Sequence, residues 1–502
     1  MTLSLRICWG GKRTRGSERL KCGEEIEDPK IIEEVNKLIN EFLARVERYR
    51  DVLLNDENTP FDYAINALSD WLLEIKARAN RGDDDITRLR KAVYKIGMKM
   101  LKLVNRTREG WLKIYRKELK ELIKKLRSGE VKIAISGDPI NAAKSFIAHL
   151  YTEHLAISVK RTAKSGSIII RLTLNNLKGI HIDIPRFFDD LLRPMQYGLM
   201  LTDGSIHERG YPVMGTNYLW QVIAWLMAWP GKNYMRIHNL NINENSDVKI
   251  TWQLMAIGHK LGSKVKIAKE VLALNNDGFA MFLLFAILGD GSINTKEKII
   301  MLILGKSKYE LWKDIIKRMM GLNFKDYDNK YKKEIKVYSS RAVTLAQSWL
   351  SEPRVRTLIE DLSRLPDAEK LRNLIELTKT RIKPLGRSMV EVISGVWMNT
   401  HVKDAGRVEL RIKRSRLEDA VAIQDRLRKA GFNARLRGHN GKFEVYINQD
   451  EVNKRPELII KVCEVLKSMY EETLNENNIK RIKKIIGGAM TRFNCQDCTQ
   501  GP

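Results

Sequence analysis

Two segments of the chain follow one pattern, in which an apolar helical run ends in Asp-Gly-Ser and leads into a strand. Residues 194–205 read PMQYGLMLTDGS, and residues 281–292 read MFLLFAILGDGS. A glycine after the acid suits the left-handed position that stops a helix. The pattern therefore predicts this backbone for Gly204 and Gly291, and two buried helices before them.

Asp203 and Asp290 are thereby placed on the last turns of these helices, where a carboxylate meets the negative end of the helix dipole. Two such ends side by side add repulsion between like charges. A bound divalent cation removes both penalties, and oxygen ligands favour Mg²⁺, Ca²⁺ or Mn²⁺ over zinc. Metal ions between carboxylates and a phosphate diester can generate hydroxide and stabilise the leaving oxygen. The alternative is that each Asp-Gly pair only stops a helix.

The order of elements around the motifs predicts an α+β fold of tandem α-β-β-α-β-β-α units after an all-helical domain. The predicted segments are a basic flexible arm (1–27), a helical domain (28–128), an incomplete α/β unit (129–190), unit 1 (191–278), unit 2 (279–351), a helical connector (352–387), a degenerate unit (388–490) and a tail (491–502). In the incomplete unit, residues 139–155 are predicted as a helix. In the degenerate unit, Thr400 stands where the acid belongs.

The charge of the chain favours a polyanionic partner. Its 502 residues include 89 Lys+Arg against 61 Asp+Glu, a formal net charge of +28. Such a charge repels itself in a compact fold unless nucleic acid shares it, and a Lys-rich surface from a hot-growing source is the alternative. No apolar run reaches the roughly 18 residues of a membrane span, and the first apolar stretch is too short for a signal peptide. We expect a cytoplasmic protein with no membrane partner.

The cysteines do not indicate a disulfide framework, because there are five in 502 residues. Cys495 and Cys498 form a C-x-x-C pair, and Cys8 and Cys22 lie at the other end of the chain. We expect two unrelated pairs. A zinc site, the alternative, would need all four to meet in space.

At the two Asp-Gly-Ser motifs the chain resembles the LAGLIDADG homing endonuclease family, over roughly residues 190–470 and faintly over 130–190. The resemblance implies two α-β-β-α-β-β-α halves about a pseudo-twofold axis, with the motif helices packed at that axis. It implies sheets that form a saddle over the major groove of DNA. The implied protein is a monomer with internal pseudo-symmetry, intron-encoded, that makes double-strand cuts in DNA with Mg²⁺ or Mn²⁺.

Carried over by motif position, the metal ligands and catalytic acids of the family fall on Asp203 and Asp290. Its small residues at the helix interface fall on Gly198, Thr202 and Gly289. The chain departs from the family at Phe285, where the family prefers glycine, although Ala286 follows it.

The family also places a lysine near the metals, beyond the second hairpin. Lys260, Lys264 and Lys266 lie in the matching stretch of unit 1, and spacing does not favour one of them. We take Lys264 as the catalytic candidate. The alternative is that each is a solvated surface charge.

Basic and polar side chains that alternate with core residues on strands are candidates for a nucleic-acid face, with Arg suited to guanine edges and Lys to phosphates. The candidates are Lys160, Arg161, Arg236, His238, Lys333, Lys336, Arg411, Lys413, Arg435 and Arg437. An ordinary solvated sheet face is the alternative for each.

Three functions compete. The preferred one is a metal-dependent, homing-type DNA endonuclease. The second is an inactive nucleic-acid binder, such as a splicing maturase that acts on structured RNA, favoured by Phe285 and by the extra helical domain. The third is a regulatory DNA-binding repeat protein, in which the two carboxylates lie far apart. The acids would also separate if the incomplete unit paired with unit 1 and unit 2 with the last unit.

Overall fold

The structure is a computed structural model that describes residues 5–10, 22–79, 84–163, 165–244, 247–329, 332–379, 388–403, 405–439, 441–473 and 479–495. These residues form a mixed α/β protein with sheets of eleven, four and five strands. The chain divides into two compact units, Met1–Arg381 and Ile382–Pro502, and each is described by itself.

Helices dominate residues 29–128. They are α1 (Pro29–Arg48), α2 (Arg50–Leu53), α3 (Asp62–Ala79), α4 (Asp85–Gly110) and α5 (Arg116–Ser128), with a π-helical turn at Trp111–Tyr115. The Asp28 carboxylate caps α1 by accepting a hydrogen bond from the Lys30 N–H at 2.8 Å. The helices belong to the compact unit Met1–Arg381. Within it, the buried Arg45 of α1 donates hydrogen bonds to the carbonyls of Ile168 (2.9 Å) and Ile242 (3.2 Å).

The largest sheet begins near the start of the chain. Its first strands are β1 (Arg6–Gly10), β2 (Cys22–Glu25), β3 (Lys132–Gly137), β4 (Phe146–Tyr151), β5 (Leu155–Arg161), β6 (Ile168–Leu174) and β7 (Ile180–Ile184). The structure differs here from the predicted flexible arm, because β1 pairs in parallel with β3 and buries Ile7 and Cys8. Residues 11–21 of that arm lie outside the described residues.

The predicted helix over residues 139–155 is wrong. Its second half is β4, in which Phe146, Ala148 and Leu150 are buried and the residues between them are partly exposed. A two-residue period suits a strand with one buried face, and it outweighed the helical propensity of the alanines before it. The predicted incomplete α/β unit is therefore an antiparallel run, β3-β4-β5-β6.

Two segments continue the chain with the same order of elements: helix, two strands, helix, two strands, helix. The first contains α6 (Leu192–Leu201), β8 (Gly204–Ile206), β9 (Pro212–Thr216), α7 (Leu219–Ala228), β10 (Gly231–Ile242), β11 (Val248–Ala256) and α8 (Lys264–Leu272). The second contains α9 (Asn276–Asp290), β12 (Gly291–Asn294), β13 (Ile299–Gly305), α10 (Tyr309–Gly321), β14 (Lys325–Asp328), β15 (Lys332–Tyr338) and α11 (Ser339–Trp349). Their strands also follow one spatial order, β8-β9-β11-β10 and β12-β13-β15-β14.

The rest of the chain has two connecting helices and a third sheet. The elements are α12 (Pro353–Leu362), α13 (Glu369–Lys379), β16 (Met389–Ile393), β17 (Val396–Val402), β18 (Val408–Arg414), α14 (Leu417–Lys429), β19 (Arg435–His439), β20 (Lys442–Asn448), α15 (Gln449–Asn453), α16 (Pro456–Thr473) and α17 (Ile479–Arg492). Thr400 is a buried residue inside β17, so its placement at the end of a motif helix is wrong. The alternation of buried and exposed residues from Val396 to Thr400 suits a strand instead. Cys495 forms a disulfide with Cys463 of α16, so it does not offer a thiolate to zinc.

The motif helices α6 and α9 pack against each other at close range. A Cβ on Gly198 would lie 2.7 Å from both the Phe282 carbonyl and the Phe285 Cβ, and 2.9 Å from the Ala286 nitrogen. A Cβ on Gly289 would lie 2.3 Å from the Thr202 hydroxyl. The three predicted interface residues are thus in contact, and Gly198 gives the space in which Phe285 fits.

The glycines after the two acids do not adopt the predicted left-handed backbone. Gly291 has φ −103° and ψ −178°, and neither it nor Gly204 has a positive φ. The lack of room for a Cβ explains both glycines instead. A Cβ would lie 2.8 Å from Ile287 Cα at Gly291 and 2.7 Å from Met200 Cα at Gly204, because the strand leaves directly over the preceding turn of helix.

We predict that Gly198→Ala destabilises the protein by about 1–3 kcal/mol, because the new methyl group meets the backbone of α9. Alanine in a helix otherwise gains about 1 kcal/mol over glycine. Gly110→Ala is the matched control, since its Cβ would meet only the Tyr115 ring, at 3.5 Å. Thermal unfolding should therefore move in opposite directions for the two variants, and a Gly198→Ala protein as stable as the parent would contradict the tight packing.

Candidate functional site

The two acidic motif ends lie together. Asp203 follows the last turn of α6, and Asp290 is the last residue of α9. A Cβ placed on Gly289 would be 3.0 Å from Asp203 Oδ2, so this carboxylate lies against the end of the other helix. Burial raises the pKa of Asp203, and the charge of Asp290 raises it further. The acids are therefore not separated, although the incomplete unit does join unit 1 through the pairing of β6 with β10.

Lys308 joins the two helix ends. It lies in a short 3₁₀ turn just before α10, and its ammonium donates to Asp290 Oδ2 at 2.5 Å and to the Thr202 carbonyl at 3.1 Å. One cation therefore binds the acid of α9 and a terminal carbonyl of α6. Both groups lie at the negative end of a helix dipole, where a cation is stabilising.

Lys370, in α13, stabilises the end of α9 from another side. Its ammonium donates to the carbonyls of Leu288 at 2.8 Å and Gly289 at 2.9 Å. These carbonyls have no partner within the helix. Burial lowers the pKa of Lys370, while Asp203 and Asp290 raise it.

Lys264 is the predicted lysine, and it shares the electrostatic field of the site. It is the first residue of α8. Burial and the charge of Lys308 lower its pKa, and Asp290 and Asp203 raise it. Of the two other lysines considered, Lys266 pairs instead with Glu270, at 3.8 Å.

Gln221 fixes the remaining carboxylate. From α7 it donates Nε2 to Asp203 Oδ2 at 2.5 Å, and its own Oε1 accepts a hydrogen bond from the Thr216 hydroxyl. The amide is buried, so its orientation is set by these two partners. Gln221 therefore holds the Asp203 carboxylate in one position.

Sequence reasoning missed Lys308, Lys370 and Gln221. Lys308 directly follows the Gly-Lys-Ser run of residues 305–307, which does not match a phosphate-binding loop. Lys370 lies about 80 residues after the acid that it approaches, in a segment that the sequence marks only as a connector. No spacing rule links either lysine to the motifs, and only the packing of α10 and α13 brings them there.

The oxygen atoms at the two helix ends suit a hard cation, which would compete with the Lys308 ammonium for them. Each carboxylate has Oδ2 bound by a side chain, and Oδ1 remains as a second oxygen. The Thr202 carbonyl adds another oxygen donor, which Lys308 also contacts. Carboxylates and carbonyls are the ligands that Mg²⁺ and Mn²⁺ prefer. The residues therefore fit such an ion once the Lys308 ammonium moves away from Asp290.

A different group of metal-capable side chains occurs within the described residues. Ligand atoms of Glu118, Glu153 and His154 lie within 4.8 Å of one another. Glu118 is bound by the Thr152 hydroxyl and by the backbone N–H of His154 at 2.9 Å. Glu118 thus links α5 to the turn between β4 and β5.

The candidate nucleic-acid residues of the large sheet lie on two faces. Lys160 shares a shallow face with Ser158, His149 and Arg171. Arg161 points the other way, because adjacent strand residues face opposite sides, and it donates to the Pro139 carbonyl at 2.8 Å. Arg236 and His238 lie on β10, where Arg236 donates to Gln253 at 2.6 Å.

In the four-stranded sheet the two candidate lysines are also on opposite faces. Lys333 binds Asp326 at 2.9 Å and lies 4.1 Å from the centre of the Tyr309 ring. Lys336 binds Glu334 at 2.7 Å. Two lysines, Lys332 and Lys336, lower the pKa of Glu334 to about 2, so this carboxylate stays charged.

In the compact unit Ile382–Pro502, two buried glutamates form ion pairs with most of the candidate basic residues. Glu444 binds Arg437 at 2.7 Å and Lys413 at 3.6 Å, and Glu409 binds Arg411 at 2.6 Å. Both glutamates are almost fully buried. Arg435 lies on the same face of β19 as Arg437 and is exposed.

Neither a protein-family model nor a curated protein matches the chain. Within the described ranges, no helix combines the length and the apolar character that crossing a membrane requires.

We predict that Asp203→Asn leaves the thermal stability of the protein unchanged or higher at neutral pH. The folded-state pKa of Asp203 is raised above 3.8, so the charged form costs stability as the pH rises through that raised value. Asparagine removes the charge and can still accept from Gln221. The melting temperature measured from pH 4 to pH 8 should fall less steeply for the variant than for the parent.

The counterpart, Asp290→Asn, should destabilise the protein by about 1 kcal/mol, because it breaks a partly exposed ion pair with Lys308. Equal melting temperatures for the two variants would contradict the asymmetry between the two acids.

Proposed function

We propose that the chain is a nucleic-acid-binding phosphodiester hydrolase that makes metal-dependent double-strand cuts in DNA, of the LAGLIDADG homing type. The observation that carries the proposal is the meeting of Asp203 and Asp290 at the ends of two tightly packed, buried helices. The approach of two partly buried carboxylates is unfavourable for folding alone, and pairs of this kind are typical of functional sites.

In the proposed site, Asp203 and Asp290 hold Mg²⁺ or Mn²⁺. Bound metal supplies an activated water and charge stabilisation for the leaving oxygen. Gln221 orients the Asp203 carboxylate. Lys264 and Lys308 contribute positive charge beside the acids, where a phosphate would be attracted.

Charge and topology support the partner and the arrangement. A net charge of +28 favours a polyanion, and double-stranded DNA is the partner that the resemblance implies. The shared strand order of the two motif segments supports a monomer with internal pseudo-symmetry. In this arrangement, Lys160, Arg236 and Lys336 contact DNA from outward sheet faces.

We predict that Asp203→Asn and Asp290→Asn each reduce cleavage by at least about 100-fold while DNA binding survives, because each removes a metal ligand but no DNA contact. Nicking and linearisation of supercoiled DNA with Mg²⁺ or Mn²⁺ measure cleavage, and a gel shift in EDTA measures binding. Asp314→Asn is the matched control, since this carboxylate is exposed and, among the described residues, pairs only with Lys317, at 3.0 Å. Undiminished cutting by the double variant would reject the proposed site.

A second function is favoured by the contact between Lys308 and Asp290. An ammonium at 2.5 Å takes the place that a metal would take on this oxygen. A protein that keeps this contact binds DNA or structured RNA without cutting it. Binding of structured RNA together with no cleavage at any Mg²⁺ or Mn²⁺ concentration would favour this function over the nuclease.

The faces of the large sheet give a further prediction. Lys160→Gln and Arg236→Gln should each weaken DNA binding and reduce its salt dependence by about 0.9 in log–log slope, if each contacts one phosphate. Arg161→Gln should instead lower the melting temperature, because it leaves the carbonyls of Asp138 and Pro139 without this donor. A larger loss of affinity from Arg161→Gln than from Lys160→Gln would contradict the assignment of faces.

A further inference from the structure

A row of exposed basic side chains follows one face of α4, in the helical part that the family resemblance does not cover. The row consists of Arg88, Lys91, Lys95, Lys99 and Lys102, at helical spacings of three and four. From first to last it spans about 21 Å of helix. Spacings of three and four place all five on one side of the helix.

This row forms one wall of a groove of about 980 Å³. The opposite wall is β7 and the segment after it, from His181 to Phe187, together with Arg354. Accessible apolar side chains also line the groove, among them Met98, which is 45% exposed, and Phe187, which is partly exposed. The groove is therefore lined by basic residues along one side and by apolar side chains elsewhere.

The groove is strongly positive. Seven Lys and Arg residues line it, against three Asp residues. Asp85 pairs with Arg88, and Asp189 pairs with Arg354 at 3.4 Å and with Arg186 at 3.6 Å. Within the described ranges, no ion pair involves Lys95, Lys99 or Lys102. Their charges are available to a ligand.

We propose that this groove binds a single strand of nucleic acid, with Lys95, Lys99 and Lys102 on its phosphates. A positive groove that follows a backbone, beside aromatic rings on which bases stack, is the arrangement that binds single strands without sequence preference, and Phe187 and His181 supply rings in the lining of this groove. A concave groove with one basic wall suits one strand better than a duplex, whose two backbones lie apart. An acidic peptide is the competing ligand, and the test separates the two.

The test uses the full-length triple variant K95Q/K99Q/K102Q, because glutamine keeps the helical propensity of lysine. Binding of fluorescein-labelled oligothymidylate is followed by anisotropy in EDTA from 0.05 to 0.5 M salt. Loss of three phosphate contacts should reduce the log–log salt slope by about 2 and the affinity at 0.1 M salt by about 100-fold.

The matched control is K117Q/K124Q/K125Q on α5, which changes the net charge equally at exposed positions that do not line the groove. A much smaller loss of affinity in the control is expected. Equal losses in both variants would overturn the proposal, because general charge would then explain binding. Selective loss of binding to labelled polyglutamate, with oligothymidylate binding unchanged, would overturn it in favour of an acidic protein partner.

The groove and the acid pair are tested separately. Asp203→Asn/Asp290→Asn should keep oligothymidylate binding within about twofold of the parent, since neither residue lines the groove. If the protein does not cleave DNA, the nuclease proposal fails and the groove proposal is unaffected. If K95Q/K99Q/K102Q binds oligothymidylate as well as the parent does, the groove proposal fails and the nuclease proposal is unaffected.

Discussion

The structure depends on how two carboxylates are kept next to each other at the ends of two packed helices. Asp203 and Asp290 repel each other, and each also meets the negative end of a helix dipole. Two lysines from different parts of the chain offset this: Lys308 binds Asp290 and the end of α6, and Lys370 binds the last carbonyls of α9. The helix pair, the turn before α10 and the helix α13 therefore form one electrostatic assembly.

This arrangement relates the two candidate functions to each other. A lysine that neutralises an acid in the absence of metal keeps the helix pair stable, and the same lysine competes with metal for that acid. The difference between a nuclease and a binder thus reduces to whether Lys308 leaves Asp290 when a cation and a phosphate arrive. Lys264 and Lys370 also interact electrostatically with both acids, and Gln221 donates a hydrogen bond to Asp203.

The motif helices could be predicted from sequence because their pattern is local and occurs twice, whereas their contact was an expectation that came from the family resemblance. In the structure Gly198 lies against Phe282 and Phe285 of α9, Gly289 lies against Thr202, and Asp203 and Asp290 lie together. Residues 139–155 were assigned wrongly because their alanines favour a helix, whereas burial on alternate residues decided for β4. Thr400 was misplaced because it was assigned by motif position, whereas the alternation of buried and exposed residues from Val396 forms a strand. Lys308 and Lys370 could not be predicted, since only tertiary packing brings them to the acids. The reason for Gly204 and Gly291 was also wrong: they lack a Cβ for space, not for backbone conformation.

The parallel pairing of β1 with β3 joins residues that are far apart in sequence, Arg6 with Lys132. The whole helical segment α1–α5 lies between them and makes mainly local contacts. Local contacts form quickly, whereas a distant strand pair must first close the intervening loop. During synthesis, β1 can pair at once with β2, but its other edge has no partner until the helices and β3 have left the ribosome. The helical segment is thus enclosed by one long-range strand pair, and the attachment of β1 and β2 to the large sheet is the step that must close this loop.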